Sequence, residues 1–313
     1  MKTPAAWSAL CIAILLAGVN FARGVIIYGP GDSGQGRNLS APTGSLTGAG
    51  WQDEGLFVTS SGAPWIFAGT AISPDFFVTA EHTGPLIGNV FTSTDGSTHV
   101  ITQLYYDPSG SQLELCRVST PFTNWAPLYT GSDPTGLPLI TYGGGTARGS
   151  TITTGITTNG WSWGAPDGKL SWGVGAVEGV GSLDAYNTGL AWSFNPLLYG
   201  NNAAALSDKD SGGGTFVLDS GVWKLAGVNY GIGPYYSTSS SGSSPFFAAI
   251  YDPAGLYESN DNVTWVPATD QSGSAATLVS PSLSWIGTTV PEPSCLTVCI
   301  LGAAGMLARR RRQ

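Results

Sequence analysis

The sequence predicts an all-β protein. Short runs rich in β-branched and aromatic residues recur between Gly, Pro, Asp and Ser turns. Glycine is frequent, at 45 of 313 residues, and no long stretch carries the apolar period of an amphipathic helix. Many short strands with such turns point to a sandwich or a barrel. Nothing repeats at a fixed period, which argues against propellers and solenoids.

The candidate strands, in order, are VIIYG 25–29, WIFAGTAI 65–72, DFFVTA 75–80, HVITQLYY 99–106, QLELCRV 112–118 and LPLITYG 137–143. STITTGITT 150–158, GTFVLD 214–219, VWKLAGVNYGI 222–232 and FFAAIYD 246–252 follow. Residues 234–245 read as a polar loop. Residues 269–289, rich in Ser, Thr and Gly, read as a linker. In GWSWGAPDGKLSWG 160–173, three tryptophans sit beside glycines. They are expected to pack over those glycines; an aromatic platform for a sugar is the alternative.

The ends read as targeting segments. Residues 1–22 have a basic start at Lys2 and an apolar run from Ala5 to Val19, a signal-peptide pattern. An uncleaved anchor is the alternative, but the run is short for a span. Residues 290–313 contain Pro291-Glu292-Pro293, an apolar run from Ser294 to Ala308, and Arg309 to Arg312. The arginines should keep this end cytoplasmic. A plain single-span anchor fits. The ordered motif, short span and Arg cluster also resemble the PEP-CTERM sorting signal of Gram-negative bacteria that make exopolysaccharide. That resemblance implies transient inner-membrane anchoring, handling by an exosortase near Pro291–Pro293, release to the cell surface or matrix, and exopolysaccharide as a possible partner.

Between the ends, residues 24–290 carry 19 acidic and six basic side chains, a charge of −13. Such a body is not expected to bind nucleic acid, whose phosphates need clustered Lys and Arg. Cys116 is the body's only cysteine, so no disulfide framework forms and stability must come from a core. No metal-ligand spacing appears and no cofactor is expected.

The chemistry lies in two blocks. In GTAISPDFFVTAEHTG 69–84, two strands joined by a Ser-Pro-Asp turn lead into Thr79-Ala80-Glu81-His82. The other histidine, His99, starts an alternating strand and is expected to have a surface or strand role. In the second block, Asp210-Ser211-Gly212-Gly213 precedes a hairpin of two strands turning at 219–221. A serine hydroxyl is a weak nucleophile near neutral pH and needs a base within hydrogen-bond reach. A copy, GDSG 31–34, precedes His82, lacks the hairpin and reads as a loop.

The two blocks, in this order, resemble the trypsin-like (chymotrypsin-fold) serine peptidases. The resemblance covers about residues 45–252 and is sharp only at the blocks. It implies two packed six-stranded antiparallel β-barrels within 23–268, split near 130, with a polypeptide substrate. It implies His82 as general base and Ser211 as nucleophile. The oxyanion hole would use the backbone at Lys209 and Ser211. The specificity-pocket floor would fall on Ala205, favouring a small or apolar side chain. Asn229, Tyr230 and Gly231 would line the substrate backbone.

Three positions depart from the pattern. Glu81 replaces a small residue. Gln112 stands where the family has the aspartate that orients the imidazole, and an amide cannot balance the imidazolium charge. In that family, replacing the acid by its amide lowers turnover about 10⁴-fold. Lys209 stands where a glycine turns its N–H into the hole, and losing one such donor lowers rate about 10²–10³-fold. Glu114 and Asp107 are conceivable substitutes for the acid, but solvated carboxylates are the expected role for both. The sequence therefore supports a secreted serine endopeptidase, weakened by its missing acid. A catalytically inactive descendant that binds at the surface or in the matrix is the alternative. A structural β-protein without protease ancestry is the third.

Overall fold

The computed structural model describes residues 24–59, 66–166 and 168–290. The expected signal peptide, and Pro291, Glu292 and Pro293 with the tail behind them, lie outside the described residues. Among the described residues no helix is long and apolar enough to cross a membrane.

Six strands of the first half close into an antiparallel barrel. They are β1 (Glu54–Val58), β2 (Ile66–Ser73), β3 (Phe76–Ala80), β4 (Val90–Ser93), β5 (Thr98–Tyr106) and β6 (Leu113–Val118). Their order is β1-β2-β3-β6-β5-β4, and β4 pairs back on β1. Phe57, Phe67, Phe77, Phe91, Ile101 and Cys116 fill the barrel. The Phe77 and Phe91 rings lie 4.4 Å apart, so aromatic area supplies much of this core. Every residue of β3 is buried. Phe77 points into the barrel, while Phe76, Val78 and Ala80 face the second half. A strand covered on both faces reads as a continuous apolar run, as FFVTA does.

The second half is laid out on a seven-stranded antiparallel sheet. Its strands are β7 (Pro138–Gly143), β10 (Ser171–Ala176), β11 (Gly179–Ser182), β12 (Thr188–Ser193), β13 (Gly214–Asp219), β14 (Val222–Gly233) and β15 (Gly273–Leu278). They run in the order β10-β7-β13-β14-β15-β12-β11. β8 (Thr146–Thr154) and β9 (Thr157–Pro166) form a separate hairpin, which splits the single run expected at 150–158. The all-β, barrel-containing architecture is the one the sequence predicts. The halves meet through Ala68, Val78, Leu113 and Leu115 on one side and Ile140, Tyr142, Phe216 and Val228 on the other.

The segment expected to be a linker is folded. β15 pairs with β14 on one edge and β12 on the other. Ser and Ala dominate it because the sheet packs closely there: a Cβ on Gly227 would lie 2.8 Å from that of Ala276. A helix, Leu283–Thr289, follows and buries Ile286 in the inter-half core.

His99 is not at the surface. It is 2% exposed, its ring 4.3 Å from that of Phe122, with Nδ1 on Thr120 O (2.7 Å) and Nε2 facing Ser93 and Ser97 hydroxyls. The tryptophans serve packing. Trp172 is buried and donates from Nε1 to Ser40 O at 2.8 Å, Trp163 stacks on Phe247, and the Trp161 face carries the Arg148 guanidinium at 3.8 Å. The GDSG copy is a loop, as expected: Asp32 accepts from Leu39 N and Ser40 N, both at 2.8 Å.

Candidate active site

His82 sits in the 3-10 turn Glu81–Thr83 that ends β3. Gly84 closes the turn in the left-handed conformation, donating to Glu81 O at 3.0 Å, and Thr83 Oγ1 donates back to Ala80 O at 2.6 Å. Glu81 N donates to Gln112 O at 2.8 Å, joining the turn to the start of β6. The Gln112 side chain then places Oε1 3.1 Å from His82 Nδ1. An acceptor there selects the tautomer with hydrogen on Nδ1 and leaves Nε2 as the basic nitrogen. His82 keeps an exposed edge, yet loss of surrounding water holds its pKa below the ordinary value. The Gln112 bond and the Glu81 charge oppose that shift, while Lys209 adds to it.

Ser211 lies half-buried in the turn before β13. Asp210, just before it, is buried at 1% exposure. Its Oδ1 accepts from Gly145 N (2.9 Å), and its Oδ2 accepts from Ser207 N (2.7 Å) and Ser207 Oγ (2.9 Å). Burial raises its pKa to about 6, against those bonds and the Arg37 charge. Arg37 is itself fully buried and donates to Gly24 O and Lys169 O. Lys209 adopts the left-handed conformation at φ 73°, the one a glycine would take freely. Its Nζ is 3.2 Å from Asp208 and 5.7 Å from the centre of the Phe67 ring.

Gly212 brings the two blocks together. Its φ is +85°, and a Cβ there would lie 2.2 Å from Thr79 Oγ1, 2.4 Å from Ala68 O and 3.4 Å from Thr83 Cγ2. The Ser211 turn is thus seated on the strand and turn that carry His82, at a distance only glycine permits.

Behind the turn, Asn229 is a strut. Its amide donates to Tyr142 O (2.6 Å) and Asp210 O (3.2 Å), and its Oδ1 accepts from Thr141 (3.0 Å) and Thr215 (2.7 Å) hydroxyls. The side chain is therefore committed inward, while its backbone bonds Gly212 and Gly213. Tyr230 sets its ring edge-on to His82, centroids 5.7 Å apart. Asn229, Tyr230 and Gly231 line a cavity of about 110 Å³ with Leu206, Ser207 and Ser211. Ala205 does not reach it. It is buried and paired with Ile26, and Leu206 and Ser207 form the wall instead.

Glu114 and Asp107 are not solvated, contrary to expectation, and neither reaches His82 in place of Gln112. Glu114 is 1% exposed, and burial followed by the Glu81 charge raises its pKa to about 8. Asp107 accepts from Ser111 Oγ (2.7 Å) and from Ser282 Oγ (2.5 Å) at the start of the C-terminal helix. Those bonds hold its pKa low against burial, the largest opposing influence. Two residues with no motif to mark them join the site: Asn187 Oδ1 accepts from Gln112 N at 2.7 Å, and Asp184 Oδ2 accepts from Tyr230 OH at 2.7 Å. Among the described residues no group of three His, Cys, Asp or Glu side chains is arranged to hold a metal.

No protein-family model matches the chain, and no curated protein matches it. It is similar to the solved structure of neuropsin, a serine protease expressed in the limbic system of mouse brain. The likeness covers 78% of this chain and 96% of that one, at 13% identity and a TM-score of 0.46. The roles of individual residues therefore rest on the geometry above.

Proposed function

We propose that this chain is a serine-type endopeptidase with His82 as base and Ser211 as nucleophile. The observation that carries the proposal is the seating of the Ser211 turn, through Gly212, on the turn that holds His82, with Gln112 fixing the His82 tautomer. His82 Nε2 takes the hydroxyl proton as Ser211 Oγ attacks the peptide carbonyl. It returns that proton to the leaving amine, and water then hydrolyses the acyl-enzyme. The N–H groups of Lys209 and Ser211 face the oxyanion in this scheme. The 110 Å³ cavity suits a small side chain before the scissile bond. Gln112 is neutral, so the imidazolium formed in the transition state has no charged partner on Nδ1, and turnover is slow. The sequence motif at Pro291–Pro293 supports delivery to the cell surface or beyond, with an exosortase-type processing partner.

The test is covalent labelling of the purified protein by a fluorophosphonate. Modification at Ser211, abolished by Ser211→Ala, is expected. A folded protein that takes no label at Ser211 overturns the proposal. In that case the second reading, a non-catalytic protein that binds at the surface or in the matrix, is favoured by the neutral amide at Gln112.

A further inference from the structure

We propose that Asp184 is the positioning carboxylate of the His82 site, acting through Gln112 and Tyr230, the two side chains that hold the imidazole. The proposal rests on the reading of His82 as the base. Asp184 lies in the turn between β11 and β12, closed by Leu183 N donating to Asn187 O at 2.8 Å. Its Oδ1 accepts from Tyr186 N (2.8 Å) and Asn187 N (2.9 Å). Its Oδ2 accepts from Asn187 Nδ2 (2.6 Å) and Tyr230 OH (2.7 Å). Four donors on one carboxylate fix the turn and both outgoing arms.

Each arm ends on His82. In one, Asn187 is buried and its Oδ1 accepts from Gln112 N (2.7 Å). Gln112 precedes the first residue of β6, where the ladder stops, so Asn187 supplies the anchor that a further strand pair would give. Gln112 then holds Glu81 N with its carbonyl and His82 Nδ1 with its side chain. In the other arm, Tyr230 lies edge-on to the imidazole at 82°. Asp184, Asn187, Gln112, His82 and Tyr230 thus form a closed ring. Asp184, Asn187 and Tyr230 belong to the second half, and Gln112 and His82 to the barrel. The ring ties the halves together at the base.

The arrangement answers a need of this sequence. A carboxylate on Nδ1 would hold the imidazole by charge. A neutral amide holds it only by geometry, so Gln112 must itself be held. The charged groups acting on His82 are Glu81 and Lys209, and Asp184 acts through its hydrogen bonds.

The experiment follows the His82 ring protons by NMR across pH, assigned by their loss in His82→Gln. The proteins compared are wild type, Asp184→Ala, Tyr230→Phe, the double variant, and Asp95→Ala at the remote β4–β5 turn. Opening the ring loosens the Gln112 bond, which favours the charged imidazole. Asp184→Ala and Tyr230→Phe are expected to lower the His82 midpoint by about half a unit, further from its ordinary value. The double variant should shift no further than the larger single one, because both cut the same ring. Asp95→Ala should not shift it. Fluorophosphonate labelling of Ser211 should fall about 10- to 100-fold in the Asp184 and Tyr230 variants. Tyr230→Phe carries the test if Asp184→Ala fails to fold. Folded variants that titrate and label like wild type overturn the role of Asp184 and leave the endopeptidase reading intact. A wild type that takes no label overturns that reading, and the His82 titration alone then decides whether Asp184 positions the ring.

Discussion

Gln112 Oε1 meets His82 Nδ1 at 3.1 Å, so the imidazole has a correctly placed but uncharged partner. Restoring the charge at the same position should help the developing imidazolium. Gln112→Asp is expected to raise fluorophosphonate labelling of Ser211 at least ~10-fold, part of the ~10⁴ that separates acid from amide. It should also raise the His82 midpoint. Unchanged labelling in a folded variant would place the limit on the Lys209 turn instead.

Gly212 cannot be replaced without moving the Ser211 turn. Gly212→Ala puts a Cβ at φ +85° and 2.2 Å from Thr79 Oγ1. A loss of more than about 2 kcal/mol in unfolding free energy is expected, measured by urea denaturation. Labelling of the folded fraction should fall as well, because the turn lifts off the strand that carries His82.

The halves also meet over two buried acids. Burial raises Glu54 to about 8 and Asp53 to about 7. Thr70 Oγ1 donates to Glu54 Oε1 at 2.6 Å, a bond too weak to reverse the burial effect. The unfolded chain loses these protons near pH 4, while the folded chain keeps them to about pH 7–8. Stability from this pair is therefore full below about pH 4 and falls as pH rises toward 8. Urea midpoints measured from pH 5 to 9 should decline, and Glu54→Gln should flatten much of that slope.

Arg37 provides a buried positive charge near Asp210 and holds the segment at Gly24 and Lys169. Arg37→Met leaves those carbonyls without their donor. A loss of about 1–3 kcal/mol is expected from urea denaturation, the range for leaving a buried acceptor unsatisfied.

The two motif-bearing blocks were legible because each couples a motif to local strand patterning. FFVTA before His82 and GTFVL after Ser211 are apolar runs that must be strands, so the motifs fall at strand ends. What escaped was held by distant partners. β1 begins with a buried carboxylate, Glu54, which no strand rule anticipates. β15 is built of Ser, Ala and Thr because its neighbours are close, a composition shared with linkers. Ala205 fell one residue short of the cavity wall because the backbone there pairs with Ile26. Asn187 stands 75 residues from the Gln112 it anchors, and DAYN is an ordinary turn to the eye.

The place of β15 also sets the order in which the protein is built. β12 and β14 are made first, yet each lacks a neighbour until residues 273–278 arrive between them. The strand that backs Ser211 is therefore an open edge during synthesis, and unpaired edges invite misassembly. All six strands of the barrel that carries His82 precede, in the chain, the strands β13–β15 that hold Ser211 against it. The turns of His82 and Ser211 are held against each other only once residues 273–278 have closed that gap.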